Sequence, residues 1–289
     1  MGFRRRAAKI GVEGGVALTG FRQRSLQPWS RWIRAATPSP GPRPPRRQRV
    51  YRVELDGMPC KRVVFADSHH AADCAQRLRQ FAADRIYPLL LLERERELWV
   101  EFIPGEPVGR GDEAVLPDLA ALLATLQKRA PRRVPLRETP WLTELRADLA
   151  FLEQVRVLDR ATAGALSEWA DGIAPSHVWE GVDCSDAIPK NFVTSPSDRL
   201  RAVDIESLAA DQLLGVGAAK ACLRWWTRPD ACAAFLDALK AQGCPDYFAY
   251  FPFVELSFRA FWLKSSLLEG KKKFVNPGIL TGLLESSSG

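Results

Sequence analysis

The stretch that most constrains this chain is residues 182–207, which read V-D-C-S-D-A-I-P-K-N-F-V-T-S-P-S-D-R-L-R-A-V-D-I-E-S. Asp186, Asn191 and Asp204 each stand next to a short apolar run, at 192–193 or 200–203, of the kind that forms strands. A carboxylate can accept the proton of an attacking hydroxyl, and oxygen ligands can hold Mg²⁺ against nucleotide phosphates. The spacing therefore predicts a metal-phosphate site built on two strands and their loops.

The motif S-D-A-I-P-K-N-F-V followed by A-V-D-I-E resembles the catalytic loop and metal-binding segment of the aminoglycoside phosphotransferase and choline kinase group. These are small-molecule kinases with a protein-kinase-like fold. The resemblance implies an α+β, two-lobed chain with a small β-rich N-lobe and a larger, mainly helical C-lobe. It also implies that Asp186 is the catalytic base and that Asn191 and Asp204 are ligands of Mg²⁺.

Glu206 follows two residues after Asp204. If the strand continues that far, both carboxylates lie on the same strand face, and Glu206 is an accessory candidate for contact with metal or substrate. The alternative is a solvated charge at the end of a strand.

The N-lobe is expected over residues 49–105. Asp56-Gly57 between two β-rich runs is a hairpin signal. We expect strands at 50–55, 60–65, 89–92 and 98–102, with one amphipathic helix at 71–84. E-L-W-V-E-F-I-P-G resembles the hinge between the lobes in this group, which implies that backbone groups of Glu101, Phe102 and Ile103 pair with the adenine of ATP.

The phosphate-anchoring lysine of the group has two candidates, Lys61 and Arg62, which lie on opposite faces of one strand; Lys61 is favoured. The glutamate expected on the N-lobe helix is absent, since residues 71–84 contain only Asp73 and Asp84 as acids. No G-x-G-x-x-G loop is present. These departures from the group's pattern all concern the phosphate-binding side of the site.

The C-lobe is expected over residues 106–289, with the catalytic loop at 183–191 and the metal segment at 203–206. Apolar periodicity predicts helices at 116–128, 141–154, 161–173, 209–226, 229–242 and 248–268, and a strand at 177–179. The Pro/Arg-rich residues 131–140 are expected to form a loop, and the last segment a basic turn with a frayed end. Aromatic residues from Trp225 to Trp262 are expected in the core rather than around an acceptor.

Residues 1–48 are expected to be a basic, disordered leader. The first fifty residues carry eleven Arg, Lys9 and one acid, Glu13, whereas the whole chain has a net charge of +7. The remaining chain is therefore net acidic, which argues against nucleic acid as a partner of the folded core. Leu26, Trp29 and Ile33 could form a short interfacial helix on an anionic membrane, with a docked or disordered tail as the alternative.

Six cysteines show no C-x-x-C pair, and reduced thiols of a cytoplasmic protein are expected. The leading hypothesis is an ATP- and Mg²⁺-dependent phosphotransferase acting on the hydroxyl of a small molecule or sugar, such as a lipopolysaccharide core sugar. The alternatives are a pseudokinase that binds nucleotide or a protein partner, and a basic-arm protein that binds nucleic acid or anionic lipid.

Overall fold

The computed structural model describes residues 48–195, 199–226, 228–271 and 274–287. The predicted leader, with its interfacial helix, lies outside these residues except for Gln48. The described residues contain no helix with both the length and the hydropathy of a membrane span. The chain divides into two compact units, and residues 201–205 belong with the first of them although they follow much of the second in sequence.

Unit 1 contains residues up to Gly105 together with Arg201–Ile205. Its elements are β1 (Gln48–Leu55), β2 (Met58–Phe65), α1 (Ser68–Gln80), β3 (Leu90–Arg94) and β4 (Glu97–Glu101). The strands form an antiparallel sheet of order β1-β2-β4-β3. Asp56 and Gly57 both have positive φ, at 51° and 77°, as the tight turn joining β1 to β2 requires. The predicted order of strand, strand, helix, strand, strand is confirmed.

Helix α1 is positioned by its N-terminal cap and by its apolar face. The Asp67 side chain accepts a hydrogen bond from the His70 N–H at 2.7 Å, which satisfies one of the free amides at the helix start. Ala71, Cys74 and Leu78 are buried and recur at helical spacing against the sheet. The helix ends at Gln80, and a 3-10 turn at Ala82–Asp84 completes the predicted segment 71–84.

Unit 2 contains Glu106–Leu200 and Glu206–Gly289. Its helices are α2 (Leu116–Gln127), α3 (Trp141–Gln154), α4 (Arg160–Ile173), α5 (Val216–Arg224), α6 (Pro229–Ala241), α7 (Phe251–Leu268) and α8 (Gly278–Ser287). Its strands are β5 (Glu106–Pro107), β6 (Arg132–Pro135), β7 (His177–Cys184), β8 (Phe192–Thr194) and β10 (Leu208–Leu213); β9 (Leu200–Ala202) starts in unit 2 and ends in unit 1.

The long helix α7 organises the core of unit 2, because α3, α4, α5 and α8 all pack against it. Strands β10, β7 and β6 form an antiparallel sheet in that order, and α2 packs against β7. Trp225, Phe235, Tyr247 and Phe253 are fully buried. The prediction that the aromatic series serves mainly as core is confirmed for these residues, whereas Phe261 is exposed.

Three predicted segments of unit 2 are wrong. Residues 131–140 contain β6 and a 3-10 turn instead of a loop, because β6 pairs with β7. Residues 209–226 are not one helix: β10 occupies their first part and α5 begins only at Val216. The chain end contains α8, which was not predicted, and this helix extends through Ser287 into the S-S-S-G end that was expected to fray. Cys222 and Cys232 form a disulfide between α5 and α6, which corrects the expectation of reduced thiols for this pair.

Candidate active site

The predicted catalytic loop brings Asp186 and Asn191 into direct contact. The loop leaves β7 after Cys184, where the Ser185 N–H donates to the Ser207 carbonyl at 2.7 Å, and it closes with a 3-10 turn at Pro189–Asn191. The Asn191 Nδ2 donates to Asp186 Oδ2 at 2.8 Å and to the Asp186 carbonyl at 2.9 Å. Both partners are acceptors, so this geometry directs the Asn191 amide oxygen away from Asp186.

A third side chain, Lys220 of α5, completes this group. Its Nζ lies 2.5 Å from Asp186 Oδ1, and the Lys220 side chain is only 14% exposed. Each carboxylate oxygen of Asp186 therefore has its own donor, and the carboxylate is held in one orientation. Sequence reasoning assigned no role to Lys220. The available signal was a charged residue within the apolar run of α5, which a partly buried ion pair explains.

The position of α5 depends on a buried carboxylate, Asp183, at the end of β7. Its Oδ2 accepts hydrogen bonds from the Gly215 and Gly217 amides at 3.1 and 3.0 Å, which are free amides at the start of α5. Its Oδ1 accepts from the Cys184 amide at 2.8 Å and from Gln127 Nε2 at 3.2 Å. A residue three positions before Asp186 thus holds the helix that carries Lys220.

Two glycines allow the start of α5 to lie close to Asp183 at the end of β7. Gly215 has φ of 97°, in the left-handed region that favours glycine, and a Cβ there would lie 2.9 Å from the Tyr247 ring. A Cβ on Gly217 would lie 2.6 Å from both Asp183 Oδ1 and the Cys184 carbonyl oxygen.

Complete burial raises the pKa of Asp183, although four hydrogen-bond donors oppose that effect. Burial, with Asp183 nearby, also raises the pKa of Tyr247 well above its ordinary value.

In unit 1, β2 separates the two candidate phosphate-anchoring residues. The Lys61 ammonium donates to the backbone carbonyl of Val203 at 2.5 Å, immediately before Asp204 in the sequence. On the opposite face, Arg62 forms an ion pair with Glu97 and packs near the rings of Tyr51 and Trp99. The Glu97 hydrogen bond is the main cause that raises the pKa of Arg62. Arg62 is therefore engaged within its own sheet, and Lys61 reaches the segment that contains Asp204.

The segment 201–205 is fastened to unit 1 by Arg201. Its Nη1 and Nη2 donate to the two carboxylate oxygens of Glu101 at 3.0 and 2.9 Å, and it also reaches the carbonyls of Arg85 and Tyr87 at 2.8 and 3.0 Å. Burial acts to raise the pKa of Glu101, but the Arg201 guanidinium and the Leu89 amide outweigh it, so the pKa lies below its ordinary value. The two parallel hydrogen bonds between Arg201 and Glu101 position the backbone around Asp204.

The hinge candidates occupy three different surroundings in unit 1. The Glu101 amide donates to the Leu89 carbonyl at 2.8 Å, so this N–H is used within the unit. The Phe102 ring lies 4.3 Å from the Arg52 guanidinium carbon, and Ile103 is buried. The predicted roles of the Phe102 and Ile103 backbone groups toward adenine stay predictions.

No family model matches the sequence, and no curated protein matches it in a sequence search. Solved structures do match. A choline kinase from Streptococcus pneumoniae has a TM-score of 0.60 at 12% identity, over 84% of this chain and 88% of that one. A choline kinase from Cryptosporidium parvum reaches 0.56 at 13% identity, over 88% of both chains. A macrolide 2'-phosphotransferase from Brachybacterium faecium reaches 0.56 at 14% identity, over 82% and 86%.

The chain has a protein-kinase-like fold. The resemblance inferred from residues 182–207, and the α+β architecture that it implied, are confirmed at the level of the fold. Within this kinase-like fold, Asp186 and Asn191 belong to unit 2, while Lys61 and Asp204 belong to unit 1. A surface cavity of about 420 Å³ in unit 2, lined partly by Leu136 and His177, contains none of the predicted site residues.

The accessory role considered for Glu206 depended on a continuing strand. Strand β9 ends at Ala202, and Ile205–Ser207 form a 3-10 turn, so that condition is not met. The two-residue spacing consequently does not place Asp204 and Glu206 on one strand face. The described residues contain no group of three His, Cys, Asp or Glu side chains arranged to hold a metal.

Replacing Glu101 by Gln should destabilise the protein and flatten its response to acid. Loss of a hydrogen-bonded charge pair that is 13% and 20% exposed should lower the free energy of unfolding by about 2 to 3 kcal/mol at pH 7. Since the folded-state pKa of Glu101 is lowered, its stabilising effect is present above the ordinary Glu pKa of about 4.3 and disappears as pH falls through the lower folded value.

Urea unfolding at pH 7, 4 and 3 measures both effects, because the loss occurs below the ordinary Glu pKa. The matched control is Asp171→Asn, which removes an exposed ion pair with Arg146 and should cost less than about 1 kcal/mol. Equal losses for the two variants, or an unchanged acid response for Glu101→Gln, would contradict the assigned role of this pair.

Proposed function

We propose that this chain is a Mg²⁺-dependent phosphotransferase that moves the γ-phosphoryl group of ATP to a hydroxyl of a small molecule or sugar. The observation that carries the proposal is the Asp186 carboxylate, held at one oxygen by Lys220 and at the other by Asn191, on the loop after β7 of a kinase-like fold. The solved structures with this fold include choline kinases and macrolide phosphotransferases, which supports phosphoryl transfer to a hydroxyl here.

In the proposed reaction, the acceptor oxygen attacks the γ-phosphorus of ATP and a new O–P bond forms. The bond between that phosphorus and the bridging oxygen breaks, and ADP leaves with the electron pair. The proton of the acceptor hydroxyl passes to Asp186. Lys220 holds this carboxylate in one orientation before the transfer, because its ammonium lies 2.5 Å from Asp186 Oδ1.

The oxygen donors suit Mg²⁺, which proteins commonly bind through one or two carboxylates together with substrate phosphates. We propose that Mg²⁺ is bound by the amide oxygen of Asn191 and by the carboxylate of Asp204. Asn191 is 6% exposed and its Nδ2 is occupied by Asp186, which directs the amide oxygen toward another partner. When bound, Mg²⁺ neutralises charge on the β- and γ-phosphates.

The unit 1 residues are proposed to hold the nucleotide. Lys61 is the favoured phosphate-binding cation because Arg62 is paired with Glu97, whereas the Lys61 ammonium lies beside the backbone that leads into Asp204. Backbone groups of Phe102 and Ile103 are proposed to meet the adenine.

A nucleotide-binding protein without turnover is the second candidate. Helix α1 supports it, because α1 contains no glutamate and its one acid, Asp73, lies 3.8 Å from an exposed His69. In protein kinases, a glutamate on the corresponding helix holds the phosphate-binding lysine in place.

Incubation with ATP, MgCl₂ and a panel of sugars and amino alcohols tests the proposal. We expect ADP release that requires both Mg²⁺ and an acceptor, with a new phosphate ester visible by ³¹P NMR. Asp204→Asn, which preserves shape but removes the charge, should lower this turnover at least about tenfold. Calorimetric binding of a non-hydrolysable ATP analogue without any product would favour the second candidate, and absence of nucleotide binding would contradict both.

A further inference from the structure

Helix α5 presents two cations, one helical turn apart, beside the proposed catalytic carboxylate. Lys220 and Arg224 are separated by four residues, so their side chains share one face of the helix, about 6 Å apart along its axis. Lys220 is already paired with Asp186. Arg224 is the next charged group along that face and has no part in the reaction described so far.

The Arg224 guanidinium is held by aromatic rings. Its central carbon lies 5.4 Å from the centroid of the Trp262 ring and 5.1 Å from that of Phe274, and these two rings contact each other at 6.1 Å. Cation–π contacts orient a guanidinium and leave its N–H groups, which lie in its own plane, free to point elsewhere. This arrangement fixes the arginine without supplying an acceptor for its donors.

The charge of Arg224 is not neutralised within the described part of the chain. No carboxylate of those residues lies within 4.0 Å of Arg224 or of Arg110. The Gly111 amide donates to the Trp225 carbonyl at 2.9 Å, which brings the loop bearing Arg110 to the end of α5. Burial and then the charge of Arg110 lower the pKa of Arg224, with partial compensation from Asp186.

We propose that Arg224, assisted by Arg110, binds an anionic group of the acceptor, so that the substrate is a hydroxyl compound bearing a phosphate or a carboxylate. This inference rests on the proposed phosphotransferase function. Guanidinium groups recognise phosphate and carboxylate through paired N–H donors. The charge of Asp186 acts on the Arg224 guanidinium, so an acceptor that carries both an anionic group and a hydroxyl could meet the two residues with its two ends. The same cations disfavour a positively charged acceptor.

A binding experiment tests this subsite without requiring turnover. Methyl phosphate and galacturonate are titrated calorimetrically into wild type, Arg224→Gln, Arg224→Lys and Arg146→Gln, each saturated with a non-hydrolysable ATP analogue and Mg²⁺. We expect at least one probe to bind wild type, with affinity at least tenfold weaker in Arg224→Gln and intermediate in Arg224→Lys. The relative affinity of the two probes identifies phosphate or carboxylate as the preferred group.

Arg146→Gln is the matched control, because Arg146 lies on α3 in an exposed pair with Asp171. It should retain wild-type affinity. Absence of binding to wild type, equal loss in both Gln variants, or binding only when the nucleotide analogue is left out would overturn the proposal. The last of these results would assign the cations to nucleotide phosphates.

Turnover supplies a second, separable readout. ADP release is compared for glucose against glucose 6-phosphate and for galactose against galacturonate, with choline as a cationic acceptor. We expect at least one anionic member to have kcat/KM at least tenfold above its neutral partner, and Arg224→Gln to reduce that ratio toward one, mainly through KM. Equal use of neutral and anionic members would overturn the subsite. No ADP release with any acceptor would count against the phosphotransferase function, while the binding titration would still decide the subsite.

Discussion

Asp186→Asn should lower the turnover of the folded protein by about two to four orders of magnitude. The substituted amide keeps the shape of the side chain, and its oxygen can still accept the hydrogen bond from Asn191. It cannot act as the base that takes the proton from the substrate hydroxyl. It also leaves Lys220, which is 14% exposed, without its counter-ion. The measurement is kcat for Mg²⁺-dependent ADP release, with urea unfolding run in parallel to establish that the variant is folded.

Asp171→Asn serves as the control, because this carboxylate lies in an exposed ion pair on α4. Its kcat should match wild type within about twofold. Turnover of Asp186→Asn within a factor of ten of the control would remove Asp186 from the proposed chemistry. Loss of nucleotide binding as well as turnover would assign it to substrate binding instead.

Gly217→Ala should cause a large loss of stability. The new Cβ would lie 2.6 Å from Asp183 Oδ1 and from the Cys184 carbonyl oxygen. The second atom is backbone, and the first belongs to a buried carboxylate held by four hydrogen-bond donors. Relief requires α5 to move away from β7, which would break the hydrogen bonds from the Gly215 and Gly217 amides to Asp183. We expect a loss of about 3 kcal/mol or more in the free energy of unfolding.

Gly164→Ala provides a matched control, since Gly164 lies within helix α4 and a Cβ there meets no atom within 4 Å. Alanine has the higher helix propensity, so this variant should be more stable by about 0.5 to 1 kcal/mol. If the free energy of unfolding falls in Gly217→Ala and rises in Gly164→Ala, the loss is due to the contact with Asp183 and not to the added methyl group itself. Similar free energies of unfolding for both variants would show that α5 is not held to β7 as described.

Gly217→Ala should also affect turnover, because α5 carries Lys220. A displacement of the helix moves the ammonium away from Asp186, and a positioning defect of this kind lowers kcat even where the protein stays folded. The measurement is kcat of Gly217→Ala under conditions where urea unfolding shows the variant to be folded. A lowered kcat supports the positioning role of α5, and an unchanged kcat contradicts it.

Local patterns predicted the elements whose residues interact with near neighbours in sequence. The Asp56-Gly57 hairpin and helices α3 and α6 are specified by turn chemistry and by apolar spacing, and the structure contains all of them. Strands β6 and β10 were missed for a common reason. Each is short and acquires its hydrogen bonds from β7, so the pairing that stabilises it comes from residues distant in sequence.

The division of residues 209–226 illustrates the same limit. Alanine and leucine over 209–214 favour a helix by propensity, but β10 pairs with β7 and the chain turns at Gly215, which has positive φ. The disulfide between Cys222 and Cys232 was also missed, because the order of the cysteines in the sequence does not reveal that α5 and α6 bring these two together.

The sequence by itself determined the local half of the candidate site. Asp186 and Asn191 are five residues apart, so one 3-10 turn suffices to bring their side chains into contact. The tertiary structure alone decided which cations face that carboxylate. Lys220 follows a further strand and a helix start held by Asp183, and Arg224 is oriented by rings from α7 and the segment beyond it. Packing between elements far apart in the chain sets those positions, and no local spacing encodes it.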